Sequence, residues 1–273
     1  MKIFQVSLLL WLSVYCNAAP SLRSFENTPE NVARLRNLQP DDLAEELSGQ
    51  FEGDMILTEQ QYSEVTRKNG MIVEKYRWPM NIAFYEIEEE WFDQDQISYI
   101  HMAMRLIETS TCVRFQPRNP DNPDYIRIHG NASGCSATVG HIGGSQTVKL
   151  QPYPLDKGCF KLGSIVHEFI HALGFRHMQS TFNRDEYVEI VWDNIQAGKE
   201  HNFLLYASDQ VGNYGAEYDY GSVMHYSSTA FSENGEKTIV PLKDTNEKMG
   251  QRDGMSEKDI FKINSMYDCF SKD

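Results

Sequence analysis

Apolar and polar positions alternate over Ile82 to Ile87 and Tyr125 to His129, and again over Thr147 to Leu150, so these stretches are predicted strands. Between the first two, Ile97, Ile100, Met104 and Ile107 recur at helical spacing, which predicts an amphipathic helix over Asp93 to Thr109. A second helix is expected from near Ser164, which follows Gly163 and suits an N-cap, to the glycine at position 174. A third is announced by Ser256 with Asp259 three residues on, a pattern like a capping box, followed by Ile260, Ile263 and Met266. From Phe175 to Met255, glycine, asparagine, serine and tyrosine are frequent and periodicity is weak, so this half is expected to be mostly irregular. There is no internal repeat and no low-complexity tract.

The ends of the chain follow a different logic. Met1-Lys2 opens an apolar run, Ile3 to Tyr15, that is too short to span a bilayer and ends at Cys16-Asn17-Ala18, small residues that suit signal peptidase. Residues 1–18 are therefore expected to be a secretory signal peptide cut after Ala18, and no other apolar run approaches the roughly 20 residues of a membrane span. Cys16 leaves with it, and the remaining four cysteines are an even set for an oxidising export route. Residues 19–68 hold 5 basic against 10 acidic residues and few aromatics, as expected of an activation pro-segment that leans on another body for its structure. The segment closes at Arg67-Lys68, a dibasic pair that a trypsin-like activating protease would cut, leaving 69–273 as the mature domain. The whole chain of 273 residues is 41% hydrophobic, enough for a buried core, and carries 25 basic and 39 acidic residues for a net charge of −14. With −10 of that on residues 69–273, binding to nucleic acid or to an anionic membrane surface is excluded as a main role.

The candidate chemistry lies in the second helix, which carries His167-Glu168-Phe169-Ile170-His171. Four residues is slightly more than one turn, so both imidazoles project from one face and can hold one zinc ion, with Glu168 beside them. Gly174 follows three residues after His171, and His177 three after that. A glycine there can adopt a left-handed backbone, end the helix and bring His177 to the metal. A chance HExxH in such a chain has odds of roughly one in fifty, and the glycine and third histidine at fixed offsets reduce this to about one in ten thousand. Three neutral imidazoles leave the ion its charge and an open position for a water whose pKa falls toward about 7. Glu168 is too close to His167 in sequence to be a further ligand, but it can take that water's proton and deliver it to a leaving amine. Phe169, Ile170 and Leu173 are expected in the core. The reaction class is metal-assisted hydrolysis, of a peptide bond.

The run HEFIHALGFRH from His167, with NRDEYVEIVWDNI after it, resembles the signature of the astacins, zinc endopeptidases of the metzincin type. Ser222-Val223-Met224-His225-Tyr226, preceded by Tyr218-Asp219-Tyr220, resembles the family's Met-turn, and Phe51-Glu52-Gly53-Asp54-Met55 its pro-segment motif. The resemblance implies an α+β, two-lobed catalytic domain: an N-terminal lobe with a twisted mixed sheet and two helices, and a mostly irregular C-terminal lobe with a terminal helix. It implies that Met224 floors the zinc site, that Tyr226 is a further zinc ligand which swings away to stabilise the oxyanion, and that Asp54 occupies the zinc in a silent zymogen. It also implies the pairs Cys112–Cys269 and Cys135–Cys159, where four cysteines alone permit three pairings, and an edge strand at Ser136 to Thr138 on which substrate lies by strand addition. Asn131-Ala132-Ser133 is a glycosylation sequon. The resemblance runs from about residue 50 to the C-terminus, without a further domain, as in single-domain members of the insect seminal-fluid type and, next, arthropod digestive members.

Three positions depart from the family pattern. Met178 stands where a glutamate normally follows the third histidine, Thr181 where an arginine is usual, and Asn183 where an aspartate is expected. In typical members that glutamate receives the newly trimmed N-terminus, and a thioether cannot be its anionic partner. The expectation is a secreted, monomeric zinc endopeptidase made as a zymogen, with one zinc ion per chain and protein or peptide substrates, in reproductive secretions. The alternatives are a digestive protease, or a zinc-binding but catalytically weak secreted binding protein; retention of Glu168 and Tyr226 favours an active enzyme.

Overall fold

The computed structural model describes residues 43–67, 73–208 and 212–270. The expected signal peptide, Lys68 of the dibasic pair and residues 19–42 lie outside the described residues. In chain order the elements that position the site are β1 (Met55–Ile56), α1 (Glu59–Arg67), β2 (Ile82–Ile87), α2 (Gln94–Ser110), β3 (Arg114–Pro117), β4 (Tyr125–His129), β5 (Cys135–Thr138) and β6 (Ser145–Leu150). They are followed by α3 (Leu162–Ala172), β7 (Val188–Ile190), β8 (Ile239–Pro241) and α4 (Glu257–Met266).

Six strands form one mixed sheet in the order β1-β5-β6-β4-β2-β3. β5 runs antiparallel to β6, while β1 on β5, β6 on β4, β4 on β2 and β2 on β3 are parallel. The alternation in β4 is physical: Ile126 and Ile128 point into the core and are fully buried. α2 begins with a complete capping box, Asp93 accepting from the Gln96 N–H while the Gln96 side chain accepts from the Asp93 N–H. Its Ile97, Ile100, Met104 and Ile107 stripe is buried and packs in one core with Phe115, Phe160 and the apolar residues of α3. α3 is buried on every side from Gly163 to Ala172, so its apolar character all round reflects a central position.

A second core, built from Met178, Val188, Ile190, Phe203, Tyr218, Tyr226, Phe231 and Ile239, forms the other lobe. That lobe is largely turns and single-turn helices with the small β7–β8 pair, in keeping with its weak periodicity. α4 carries the capping box expected at Ser256 and Asp259. It returns to the first lobe, where Ile263, Met266 and Tyr267 join the first core. Two disulfides fasten this arrangement. Cys112–Cys269 ties the end of α2 to the segment after α4, with Cα atoms 5.3 Å apart, and Cys135–Cys159 ties β5 to the turn before α3, at 5.6 Å.

The structure corrects one expectation. α3 starts at Leu162 with Lys161 as a cap that makes no side-chain hydrogen bond, so Ser164 lies inside the first turn and is not the N-cap. The reason is packing: Gly163 sits against the chain at Arg252, where an added Cβ would lie 2.0 Å from the Arg252 carbonyl oxygen, and the helix can begin early only because that residue has no side chain. The expected edge strand at Ser136 to Thr138 is outermost in the sheet but for β1 of the N-terminal segment, which pairs with it, Met55 opposite Ala137 and Ile56 opposite Thr138.

Candidate metal centre

α3 places His167 and His171 on one face, their ring centroids 4.6 Å apart. After Leu173 the chain turns at Gly174, which has φ of +105° and donates to the His171 carbonyl at 2.8 Å. A side chain there would meet the Met266 methyl as well as the backbone cost of positive φ. The turn delivers His177, whose ring lies 4.7 Å from that of His171 and 5.3 Å from that of His167. All three imidazoles are fully buried.

The outer nitrogen of each ring has an acceptor. His167 Nδ1 donates to the Val223 carbonyl at 2.7 Å, His171 Nδ1 to the Phe175 carbonyl at 2.8 Å, and His177 Nδ1 to the Glu52 carboxylate at 2.9 Å. Acceptors at all three Nδ1 atoms fix the protons there and leave three Nε2 lone pairs facing inward. Among them lies the Asp54 carboxylate, with Oδ2 3.1 Å from His167 Nε2 and Oδ1 3.2 Å and 3.4 Å from His177 and His171 Nε2. The four ligand atoms lie within 4.8 Å of one another. Four inward acceptors in a dry site repel one another unless a cation lies between them, and an N3O set of this size suits zinc. Among the described residues buried Asp54 Oδ1 also has no hydrogen-bond partner, as expected of an oxygen reserved for a metal.

Glu168 is fully buried, and neither carboxylate oxygen has a hydrogen-bond partner among the described residues. Burial first, and the neighbouring Asp54 anion second, push it well above the ordinary carboxyl range. Met224, which follows the Val223 whose carbonyl meets His167, is buried, and its own carbonyl accepts from the Met178 N–H at 2.9 Å. The Tyr226 ring packs 4.6 Å from that of His177, and its hydroxyl donates to the Glu52 carbonyl at 2.5 Å.

Asp54 is delivered by a hairpin closed by paired hydrogen bonds between Gln50 and Gly53, with both Glu52 and Gly53 at positive φ. The hairpin is anchored on either side. Before it, Glu45 forms a two-point pair with Arg252, Nε to Oε1 at 2.8 Å. After it come β1 and α1, the latter held by Gln61 donating to the Val139 carbonyl at 2.8 Å. Burial would raise Glu45, but Arg252 holds it down at about 2. Glu46, half-buried beside it, accepts from the Phe231 N–H, yet burial pushes it up to about 8.

The expected site residues His167, Glu168, His171, His177, Asp54, Met224 and Tyr226 thus converge. Asn131 is exposed in the turn before β5, and Arg67 ends α1. Sequence reading assigned no role to Glu52, Tyr206, Glu45 or Arg252. Glu52 was within reach, since it lies inside a recognisable motif, but the Tyr206 hydroxyl that donates to it at 2.6 Å sits 154 residues away in a stretch with no periodic signal. Met178 is buried with its sulfur 3.0 Å from the ammonium of Lys262, which burial pulls below the usual lysine range.

Comparison with known proteins agrees with this geometry. The family model for Astacin, a peptidase family, matches residues 70–268. Seminal metalloprotease 1 of Drosophila melanogaster is 40% identical over 226 residues, 82% of this chain and 88% of the relative. The human meprin A subunit beta is 38% identical over 81% of this chain, which spans 30% of that longer protein. Among solved structures, the high choriolytic enzyme 1 of Oryzias latipes, a hatching enzyme zinc-protease, superposes with a TM-score of 0.64 at 36% identity, over 71% of this chain and 93% of that one. With the signature histidines gathered on and after α3 and the family match spanning nearly all of both lobes, the chain belongs to the astacin family of zinc metalloendopeptidases.

Proposed function

We propose that the protein is a secreted peptidase held latent by its own N-terminal segment, and that cleavage in the Arg67-Lys68 region frees the site. The observation that carries this reading is Asp54, a carboxylate from outside the family-matched residues 70–268 that stands among the three histidines where substrate chemistry would occur. Pairing of β1 with β5 supports it, since the segment covers the strand on which an extended substrate would lie.

On this reading His167, His171 and His177 hold one zinc ion, and Asp54 is the fourth ligand of the silent state. When bound, zinc supplies Lewis-acid polarisation of the scissile carbonyl and lowers the pKa of the attacking water. Glu168, desolvated beside His167, takes the proton and returns it to the leaving amine. Tyr226, released from the Glu52 carbonyl once the segment departs, donates its hydroxyl to the developing oxyanion. Met224 supports the site from below as an apolar floor.

The paired cysteines and an apolar leader suit export, and the likeness to a seminal metalloprotease supports reproductive secretions as the place of action and proteins there as substrates. Met178, facing Lys262, cannot serve as an anionic partner for a trimmed N-terminal ammonium, so activity should tolerate ragged N-termini. The test is casein cleavage by the intact and the trypsin-cleaved chain. Activity that rises on cleavage, vanishes with chelator and is equal for starts one to three residues either side of Asn69 is expected; an intact chain as active as the cleaved one overturns latency. Sharp loss for all but one start overturns the tolerance.

A further inference from the structure

We propose that Glu52 is a removable positioning residue for the third histidine: its carboxylate orients His177 and strengthens its hold on the metal only while residues 43–67 are docked, so that the unprocessed chain keeps zinc more tightly than the processed one. The inference rests on the latency reading above and extends it to the outer partners of the ligands.

The three histidines are not equivalent. His167 and His171 give their Nδ1 protons to the carbonyls of Val223 and Phe175, both within residues 70–268, and these partners stay when the N-terminal segment leaves. His177 alone gives its proton to a side chain, and to one from outside that span. A carboxylate is a stronger acceptor than a carbonyl and makes the imidazole a better donor through its other nitrogen. Glu52 is fixed for this task. It is 1% exposed, its backbone is held at φ of 46° by the Gln50–Gly53 hairpin, and its second oxygen accepts from Tyr206 Oη at 2.6 Å. Tyr206 is in turn tied through its backbone N–H to the Ser180 carbonyl at 2.8 Å, close behind His177. One hairpin therefore reaches the metal twice, directly through Asp54 and through His177 by way of Glu52. Its departure takes away a ligand together with the one charged outer partner, that of His177. The processed enzyme then has an exchangeable outer contact at His177 and fixed ones at His167 and His171.

The experiment compares the full-length, zinc-loaded chain with its Glu52→Gln variant, following zinc release to an excess of a chromogenic chelator before and after cleavage at Arg67-Lys68 and removal of the segment. Uncleaved Glu52→Gln is expected to release zinc about 10- to 100-fold faster than uncleaved wild type, and the two to release at one common, faster rate once the segment is gone. Equal rates in the uncleaved proteins overturn the proposal, as does a difference that survives removal of the segment. Tyr206→Phe separates the charge on His177 from mere anchoring of the hairpin, because it leaves the Glu52–His177 bond in place. Release near the wild-type rate supports the proposal, and release as fast as in Glu52→Gln overturns it. Full-length Asp54→Ala, assayed on casein, tests the underlying reading separately. If that variant is silent and cleavage of wild type adds no activity, latency itself fails; if both gain activity while Glu52→Gln behaves as wild type, only the role of Glu52 falls.

Discussion

At the scale of single residues the site is defined by which atoms lack partners. Among the described residues both oxygens of Glu168 are buried and unpaired, a costly state for a carboxylate that a reacting group in place would relieve. Glu168→Gln is expected to lower kcat/KM by about 10²- to 10⁴-fold with one zinc still bound per chain, checked by peptide hydrolysis alongside metal analysis. Lys262 is a buried charge with only a weak partner, and its meaning is different. Its buried ammonium has the Met178 thioether, a weak acceptor, at 3.0 Å, while the nearby Asp259 is already satisfied by the Ser222 hydroxyl and the Val223 and Ser256 N–H groups. Lys262→Met should therefore be neutral or stabilising by about 1–3 kcal/mol in chemical denaturation. A loss of that size would mean that the charge is needed against Asp259.

At the scale of elements, α3 does two things at once: it presents two ligands on one face and packs tightly on every other. Its first turn passes so close to the chain at Arg252 that Gly163→Ala would force a side chain against backbone. A cost of about 1–3 kcal/mol or more follows, and because α3 carries His167 and His171 the same displacement should loosen the metal. A fall in Tm together with faster loss of zinc to chelator checks this, and loss of stability with unchanged zinc binding would show that the helix yields only at its start. The capping box of α4 and the apolar stripe of α2 were legible in the sequence because they depend on residues three and four apart. β1, β7 and β8 were not, since two- and three-residue strands carry too little pattern and exist only through their partners.

At the scale of the whole molecule, the N-terminal segment is held to the lobes by strand pairing, neutral hydrogen bonds and the contacts of ionisable residues, Glu45 and Glu46 among them, and the last of these respond to pH. Docked Glu46 sits at about 8, against an ordinary value of 4.5, so the docked state binds the extra proton between those values. Its contribution to docking is complete below about pH 4.5 and is lost as pH rises toward 8. Glu45, held at about 2 by Arg252, acts in the opposite sense, its contribution being present above 4.5 and lost toward pH 2. After cleavage the segment should thus be retained at pH 5 and released faster by pH 8, by up to about tenfold per unit. Glu46→Gln should flatten that dependence. Size-exclusion chromatography of the cleaved protein across this range checks it, and pH-independent release would remove Glu46 from the account.

The sequence by itself determined whatever short spacing controls: the histidine pair one turn apart on a helix, the glycine that ends that helix, the apolar stripe of α2, the capped start of α4, and the alternation of β2 and β4. It also carried the family signature, and with it the α+β fold. The tertiary structure alone decided what depends on atoms distant along the chain. It gave His177 a carboxylate from residue 52 and that carboxylate a hydroxyl from residue 206. It also moved the start of α3 to Leu162 and covered the strand at Ser136 to Thr138 with β1. The physical reason is that burial creates these interactions: in water Glu52, Tyr206 and His177 are three solvated groups with no preference for one another, and only in a dry site must each find a partner.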